Sequence, residues 1–208
     1  MNPITLRLYD TRLYDAYRRF RENQQLGDWA RAGRPAPPPH LIKQAIVREH
    51  AQRFGLKVLV ETGTYRGEMI RAALPHFEHV YSIELHPQLH AQAQRRFRNA
   101  PHVKLLHGNS ADVLPQVLRE LDQPALFWLD GHFSGPDTAR ANVDSPLREE
   151  LSAVLSHHVP GHVVLIDDAR LLALPSYPSL SDIRQQVAAC RDPRRVELAD
   201  DIVRITPG

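Results

Sequence analysis

Three acidic stretches of this sequence carry side chains that could bind a charged or hydroxyl-bearing ligand. Glu61 opens the stretch ETGTYRG, Asp130 and His132 lie in WLDGHFSG, and the pair Asp167 and Asp168 lies in LIDDAR. Carboxylates accept hydrogen bonds from ammonium and hydroxyl groups and ligate hard cations, and an imidazole can take up a proton near neutral pH. Each stretch follows an apolar run, so the elements that precede these residues decide whether they meet.

Helical and strand-like patterns alternate from residue 40 to the end of the chain. The predicted strands are Lys57–Glu61, His79–Leu85, Val103–Gly108, Ala125–Asp130 and His162–Asp168, with two short strands joined by an acidic turn within Arg194–Thr206. The predicted helices are Leu41–Phe54, Glu68–Leu74, Pro87–Asn99, Ala111–Leu121, Pro146–His157 and Ser181–Cys190. This alternation predicts an α/β, Rossmann-like fold: a seven-stranded, mostly parallel sheet with helices on both faces and a C-terminal antiparallel hairpin.

The first 39 residues are predicted to form an N-terminal arm outside a main domain that spans residues 40–208. Apolar residues from Tyr9 to Phe20 recur at helical spacing between charged residues, which indicates an amphipathic helix. The stretch GRPAPPPH (Gly33–His40) is too rich in proline to be helical and predicts an extended connector. The arm could form a wall of the site, or pack on a second subunit and make the protein a homodimer.

Length and composition are typical of a soluble protein with one sizeable core. The chain has 208 residues, and no apolar run approaches the roughly 18 residues that a membrane-spanning helix needs, so we expect no membrane partner. The N-terminus lacks the pattern of a secretory signal, and Cys190 is a single cysteine. We therefore expect a cytoplasmic protein without disulfides.

The net charge of +2 conceals a basic N-terminal segment. Residues 1–54 carry ten Lys or Arg against five Asp or Glu. Such a segment could contact RNA or an acidic partner, but no basic platform interleaved with aromatic residues accompanies it. A solvated helical face is favoured, and nucleic acid is not an expected partner.

The stretch ETGTYRG has the spacing of a nucleotide-binding loop but lacks the features of a pyrophosphate site. Gly63 permits a tight turn after the first strand, and Gly67 would let the following helix approach the sheet. A dinucleotide site needs a further glycine between them, where this chain has Tyr65, whose side chain would crowd a phosphate. The sequence also contains no GxxxxGK(S/T) phosphate loop. The spacing ExGxxxG therefore predicts a nucleoside ligand without a pyrophosphate.

With Glu84 at the end of the second strand and HGNSADVLP after the third, these motifs resemble the class I S-adenosylmethionine-dependent methyltransferases over residues 40–208. The resemblance implies that Glu61 binds the amino group of the methionine part and that loop amides bind its carboxylate. It also implies that Glu84 accepts the ribose hydroxyls and that Asn109 and Ser110 border the adenine. The cofactor-binding residues expected on this basis are Glu61, Thr62, Gly63, Thr64, Tyr65, Gly67, Glu84, Leu85, Asn109, Ser110 and Asp130. The alternative is a glycine turn that starts a helix, with two surface acids.

Asp130, Asp167 and Asp168 should lie at the ends of neighbouring strands, about 4.8 Å apart, where they could share one cation. With His132 they resemble the macrocin-type metal-dependent O-methyltransferases, which carry Asp-Gly-Asp after the fourth strand and Asp-Asp after the fifth. This resemblance implies that the three aspartates ligate Mg²⁺ and that Asp130 and His132 are catalytic, with His132 as the base in place of the family's second aspartate. Alternatively, the acids bind no metal, Asp167 and Asp168 cap the next helix or bind an arginine, and His132 orients the substrate or is a simple loop residue.

The segment Gly131–Pro146 is long for a connection in this fold and would lie over the methyl group. It is a candidate acceptor-binding lid with Phe133, Thr138 and Arg140 as contact residues, the alternative being a surface loop. The sequence thus predicts an O-methyltransferase that uses S-adenosylmethionine, and could use Mg²⁺, on a small-molecule methyl acceptor. The alternatives are a metal-free methyltransferase for nitrogen, carbon or a macromolecule, and a non-catalytic S-adenosylmethionine-binding module.

Overall fold

The computed structural model describes residues 12–130 and 145–208, without the side chains of residues 12–19 and 22. Its strands are β1 (Val58–Thr62), β2 (His79–Glu84), β3 (Val103–His107), β4 (Ala125–Leu129), β5 (Val163–Ile166), β6 (Arg194–Ala199) and β7 (Ile202–Pro207). Its helices are α1 (Arg12–Arg31), α2 (His40–Phe54), α3 (Glu68–Ala73), α4 (Pro87–Arg96), α5 (Ser110–Glu120), α6 (Leu147–Leu155) and α7 (Leu180–Ala188), and a 3-10 helix spans Ala169–Ala173.

The strands form one sheet in the order β3-β2-β1-β4-β5-β7-β6. The first five strands pair in parallel, whereas β7 runs antiparallel to both β5 and β6. The predicted seven-stranded, mostly parallel sheet with a C-terminal antiparallel hairpin is therefore confirmed. The chain runs outward from β1 to β3 and returns beside β1 as β4, so the winding reverses between β1 and β4. In such sheets, ligands bind beyond the carboxyl ends of the strands at this reversal.

The central strands are buried on both faces. Every residue of β1, β4 and β5 is buried. Side chains alternate along β4, so that Trp128 packs with residues of α2, α3 and α4, whereas Phe127 packs with residues of α5, α6 and α7. Two-sided burial explains why these strands are near-continuous apolar runs in the sequence. It also confirms that helices cover both faces of the sheet.

Two strand ends differ from the prediction at positions that matter for the site. β1 continues to Thr62, one residue past its predicted end, so Glu61 lies inside the strand rather than at its end. β5 ends at Ile166, and a 3-10 helix follows that the sequence did not predict. Asp168 has a left-handed backbone with φ of 52°, which strand geometry does not allow. Asp167 and Asp168 therefore lie beyond the strand to which the sequence assigned them.

The arm helix extends further than its apolar pattern predicted. α1 continues to Arg31, and a non-helical proline segment joins it to α2. Phe20, on the expected apolar face, is 66% exposed and adds nothing to the core. Trp29 Nε1 donates to the Pro35 carbonyl at 2.7 Å, which ties the end of α1 to the connector. The division of the chain at residue 39 stays a prediction.

No helix in the described part of the chain is long and apolar enough to cross a membrane.

His162 joins the amino-terminal ends of β4 and β5 through a buried hydrogen-bond chain. The Ala125 N–H donates to His162 Nδ1 at 3.0 Å, so the proton of a neutral His162 ring must sit on Nε2. That nitrogen lies 2.8 Å from Nδ1 of His157, which accepts a hydrogen bond from it. Burial, together with the nearby His157 and Arg194, lowers the pKa of His162 to about 4. The fold therefore requires the neutral form of this ring.

We expect the protein to lose stability as the pH falls from about 6.5 towards 4, because His162 must then become charged. Its folded-state pKa lies below the value of about 6.5 in an unfolded chain, so the unfolded state binds more protons between these values. The contribution is fully present above about pH 6.5 and is lost as the pH falls through the folded-state pKa, by roughly 3 kcal/mol in total. Urea unfolding across this pH range measures it.

The matched variants separate His162 from the other titrating groups. In His162→Asn the side-chain oxygen can still accept from the Ala125 N–H, but no imidazole remains to titrate. The stability should therefore be lower overall, and its dependence on pH should be flatter. The exposed His76→Asn should leave the pH dependence as in the wild type. If His162→Asn and the wild type lose stability with the same slope, the assignment to His162 is wrong.

Candidate active site

Acidic side chains from four strands gather at the carboxyl edge of the sheet where the winding reverses. Glu61 lies in β1, Glu84 ends β2, and Asp130 and Asp167 directly follow β4 and β5. The Asp130 N–H donates to the Thr62 carbonyl at 3.1 Å, and the Asp167 N–H makes the equivalent bond to β4 at 3.0 Å. These bonds continue the hydrogen bonding between the parallel strands past the strand ends. The backbone positions of both aspartates are therefore fixed by the sheet.

Glu84 is held with both carboxylate oxygens bonded to backbone amides. Its Oε2 accepts from the Tyr65 N–H at 2.7 Å and its Oε1 from the His86 N–H at 2.8 Å, and the residue is 6% exposed. Tyr65 has a left-handed backbone with φ of 47°, rare for a residue with a side chain, and this conformation aims its N–H at Glu84. Each oxygen keeps a second lone pair, so the carboxylate is oriented to accept two further hydroxyl groups.

Glu61 is more deeply buried, with 2% of its surface exposed. The Ser82 hydroxyl donates to Glu61 Oε2 at 2.5 Å and itself lies 2.6 Å from the Thr64 hydroxyl, which must then be the donor to Ser82. Burial raises the pKa of Glu61 well above its usual range, and the negative charges of Asp130 and Glu84 add to this effect, against the Ser82 hydrogen bond. A cationic ligand group at this carboxylate would favour its ionised form. Ser82 is a buried residue of β2, and the sequence motif did not predict its contact with Glu61.

The N–H groups of this loop form hydrogen bonds within the protein, and their use by a methionine carboxylate stays a prediction. The N–H groups of Gly63 and Thr64 donate to the Ile83 carbonyl at 2.9 and 3.3 Å, and the Gly67 N–H donates to the Thr64 carbonyl at 2.8 Å. Together with the hydrogen bond from the Tyr65 N–H to Glu84, these bonds hold the loop against β2. The resemblance had assigned these amides to the carboxylate of a methionine group.

Gly67 makes room for an aromatic ring. A Cβ at this position would lie 2.5 Å from Phe97 Cε2, and the backbone φ of 69° is left-handed. The sequence had predicted close approach of the following helix to the sheet, whereas the neighbour is Phe97, which follows α4. Gly67 therefore fixes how α3 and α4 pack beside the loop.

The loop after β3 adjoins the end of β2. The Gly108 N–H donates to the Glu84 carbonyl at 3.0 Å, and the Leu85 carbonyl accepts from His107 Nε2 at 3.1 Å. Asn109 Oδ1 accepts from the Ala111 N–H at 3.2 Å and so caps α5, a role that the sequence reading of Asn109 did not include. The predicted adenine-bordering residues therefore lie next to the predicted ribose-binding carboxylate.

Asp130, Asp167 and Asp168 come together as predicted, but a lysine joins them. Their carboxylate oxygens lie within 4.8 Å of one another. Lys43 Nζ, from α2, donates to Asp167 Oδ2 at 2.5 Å and to Asp168 Oδ1 at 3.1 Å. Arg170 donates to Asp168 Oδ1 at 2.8 Å, the arginine pairing that the sequence left open. Lys43 lies 124 positions before Asp167, and no local motif marked it.

The charges of this cluster depend on one another. Burial acts to lower the pKa of Lys43, but the carboxylates of Asp167, Asp168 and Asp130 outweigh it, so this pKa is raised. Burial raises the pKa of Asp167 and the like charge of Asp168 adds to it, whereas Lys43 opposes both. The carboxylates therefore favour the ammonium form of Lys43, and Lys43 in turn opposes the effect of burial on the pKa of Asp167.

A divalent cation does not fit this arrangement as it stands. Mg²⁺ needs carboxylate oxygens at about 2.0–2.1 Å and would have to occupy the space between the carboxylates. Lys43 Nζ already lies within hydrogen-bonding distance of two of them, and Asp168 Oδ1 accepts from both Lys43 and Arg170. The predicted Mg²⁺ ligands are thus close together, but two of them, Asp167 and Asp168, are already paired with Lys43 and Arg170.

A sequence profile of the methyltransferase domain family matches residues 60–169, more than half of the chain. The matched segment runs from β1 to the start of the 3-10 helix and contains Glu61, Glu84 and the three clustered aspartates. The chain belongs to the methyltransferase domain family. With the sheet order, this membership confirms the resemblance to the class I S-adenosylmethionine-dependent methyltransferases. The macrocin-type, metal-dependent assignment stays a prediction.

Solved methyltransferase structures share the fold at low sequence identity. An O-methyltransferase from Bacillus cereus, solved with SAH, is 16% identical, with 89% of this chain and 90% of that chain covered and a TM-score of 0.60. TomG, an O-methyltransferase from Streptomyces achromogenes involved in tomaymycin synthesis and solved with SAM, is 16% identical over 89% of each chain, with a TM-score of 0.58. The N-methyltransferase NodS from Bradyrhizobium japonicum WM9 is 13% identical over 81% of this chain and 96% of that chain, with a TM-score of 0.53. At these identities the likeness confirms the fold alone, and a comparison with curated proteins found no match.

The methyltransferase has a cavity of about 540 Å³ beside the acidic cluster. Trp29 and the segment 37–39 line one side of it, and Lys43, Asp168 and Arg170 line another. α1 and the proline connector therefore form a wall of a space that reaches the cluster. This placement agrees with one of the two roles that the sequence left open for the arm.

The remaining predicted residues of the methyltransferase lie outside the described residues. His132, Phe133, Thr138 and Arg140 belong to the segment 131–144. The base role of His132 and the acceptor contacts of the other three stay predictions.

We expect Gly67→Ala to destabilise the methyltransferase by about 1–3 kcal/mol more than Gly55→Ala does. The two glycines have similar positive φ values, 69° and 64°, so both substitutions carry the same kind of backbone strain. Only the Cβ at position 67 would collide, with Phe97 at 2.5 Å, whereas the Cβ at position 55 would meet nothing within 4 Å. Urea unfolding of the two variants measures the difference, and equal losses of stability would show that the contact with Phe97 is not what requires glycine.

Proposed function

We propose that this methyltransferase transfers the methyl group of S-adenosylmethionine to a hydroxyl oxygen of a small molecule. The observation that carries the proposal is the buried Glu84 carboxylate, which two backbone N–H groups orient at the carboxyl end of β2, beside the winding reversal. A carboxylate at this place in a Rossmann-like sheet accepts the hydroxyls of a ribose. Tyr65, in place of a glycine, favours a nucleoside donor over a pyrophosphate-containing one.

Glu61 supports the same donor because its buried carboxylate suits a cationic amino group. Burial raises the pKa of Glu61, and a bound ammonium would lower it again. Glu84 would then hold the ribose, with Leu85, Asn109 and Ser110 around the base. The residues that would pack against the methionine part are those of the loop after β1 and the end of that strand: Thr62, Gly63, Thr64, Tyr65 and Gly67.

The proposed reaction is an in-line displacement at the methyl carbon. When bound, the donor supplies a methyl group on a positively charged sulfur. A lone pair of the acceptor oxygen forms the new C–O bond, the C–S bond breaks, and the hydroxyl proton passes to a base. We assign this proton to His132, with Asp130 as the neighbouring carboxylate that stabilises the resulting imidazolium. No step of this reaction runs through Mg²⁺.

The acceptor is proposed to enter through the cavity beside the acidic cluster. Its volume of about 540 Å³ lies in the range of sites for single small molecules, roughly 300–1,000 Å³. Trp29 offers a flat apolar surface, and the ion-paired side chains of Lys43, Asp168 and Arg170 make the other side polar. We therefore expect an acceptor with an apolar or planar part and a polar part that carries the hydroxyl group.

The experiment that tests the function follows release of S-adenosylhomocysteine from the purified full chain. We expect turnover with members of a library of small phenols, sugars and other hydroxyl compounds, and none with matched amines or RNA. Turnover only with amines would identify an N-methyltransferase, and turnover only with RNA a macromolecular one. Binding of the donor without turnover on any acceptor would favour the non-catalytic module.

Glu84→Gln is the variant that links the function to the site. Loss of one charged acceptor should weaken S-adenosylmethionine binding by roughly 10- to 100-fold in calorimetry, since hydrogen bonds to charged groups contribute about 1.5–3 kcal/mol. Glu120→Gln, which alters an exposed carboxylate paired with Lys104, is the matched control and should bind like the wild type. Equal affinities for Glu84→Gln and the control would remove the ribose assignment.

We also expect donor binding to release protons through Glu61. The pKa of Glu61 is raised in the free protein, so below that pKa the group is protonated and must ionise when the cationic amino group binds. Affinity should therefore rise as the pH rises towards that pKa and flatten above it. Calorimetry in two buffers of different ionisation enthalpy counts the released protons, and Glu61→Gln should abolish the release. Proton release that persists in Glu61→Gln would assign it to another group.

A further inference from the structure

Lys43 reaches the acidic cluster from α2, outside the segment that matches the family profile. Its Nζ lies 2.5 Å from Asp167 Oδ2 and 3.1 Å from Asp168 Oδ1. The side chains are 12%, 1% and 10% exposed, respectively, so the contact is largely shielded from water. These are the distances of charge-assisted hydrogen bonds from an ammonium group. Lys43 is thus part of a buried ionic cluster rather than of a surface ion pair.

The ammonium contacts two of the three carboxylates that could share a cation. Carboxylate oxygens of Asp130, Asp167 and Asp168 approach within 4.8 Å of one another, close enough to share a cation. An ammonium brings one charge and three N–H donors, whereas Mg²⁺ or Mn²⁺ brings two charges and needs oxygens as direct ligands. The two cannot occupy the same space, because Nζ already contacts two of the three carboxylates.

We propose that Lys43 is the resident cation of this cluster and takes the place of a divalent metal. It is a positioning residue, which holds the carboxylates of Asp167 and Asp168 through two charge-assisted hydrogen bonds. Methyl transfer by this chain consequently requires no metal. This last statement rests on the proposed function, whereas the exclusion of a divalent cation by Lys43 does not.

Arg170 does not duplicate the role of Lys43. It is 40% exposed and pairs with Asp168 and Asp201 on the outer side of the cluster. Removal of Lys43 therefore takes the ammonium from Asp167 while Arg170 stays in place. Removing one partner of a buried ion pair leaves a charge without compensation, which then favours another cation. The same three carboxylates should become a divalent-cation site.

The test measures binding of Mn²⁺ alone to the full chain. Loss of the EPR signal of the free ion reports the binding. The wild type should bind Mn²⁺ no better than at about millimolar dissociation constants, and Lys43→Ala at least roughly tenfold more tightly. Lys43→Arg, which restores a cation, should behave like the wild type. Lys57→Ala is the matched control, since it removes an exposed lysine paired with Glu78.

Two outcomes of the Mn²⁺ titration would overturn the proposal. One is Mn²⁺ binding by the wild type as tight as that of Lys43→Ala; the other is no gain of Mn²⁺ binding in any variant that lacks the ammonium. Lys43→Met keeps the length of the side chain and serves as the second variant if Lys43→Ala does not fold. Wild-type turnover that EDTA abolishes and Mg²⁺ restores would also overturn it. The Mn²⁺ titration needs neither donor nor acceptor, so its result stays readable if the proposed function fails.

Discussion

Negative charge concentrated at one edge of a parallel sheet is the constraint around which this molecule is organised. Parallel strands all end at the same edge, so acids that follow or finish them are brought together in a poorly hydrated place. Each is handled differently. Glu84 is bonded to two amides, Glu61 has a raised pKa that burial causes, and Asp167 and Asp168 share the ammonium of Lys43. The site consists of these carboxylates, each with its own means of stabilisation.

The winding reversal divides the site into two halves. On the β1–β2 side, the glycine loop is bonded to β2 through its own amides and through Glu84. On the β4–β5 side, Asp168 lines a cavity whose other wall comes from α1 and the proline connector. A donor in the first half and an acceptor in the second would meet near Asp130, which directly follows β4.

The two halves also differ in what the family shares. The segment matched by the methyltransferase profile contains the donor half and the acidic cluster, whereas Lys43 and Trp29 precede it. The part of the chain before the matched segment therefore contributes the ammonium that pairs with the cluster and an aromatic wall of the cavity. Solved O- and N-methyltransferases share this fold at 13–16% sequence identity, so the fold alone does not determine the methyl acceptor.

The order and type of the central elements could be read from the sequence because local chemistry determines them. Apolar runs five or so residues long, separated by helical periodicity, predict buried parallel strands, and acids after those runs must share an edge. The contact of Lys43 with Asp167 could not be read in this way, and neither could the Phe97 ring against Gly67 or the end of β5 before Asp167. Periodicity reports which face of an element is buried, whereas the neighbour across a packed interface depends on how whole helices dock on the sheet.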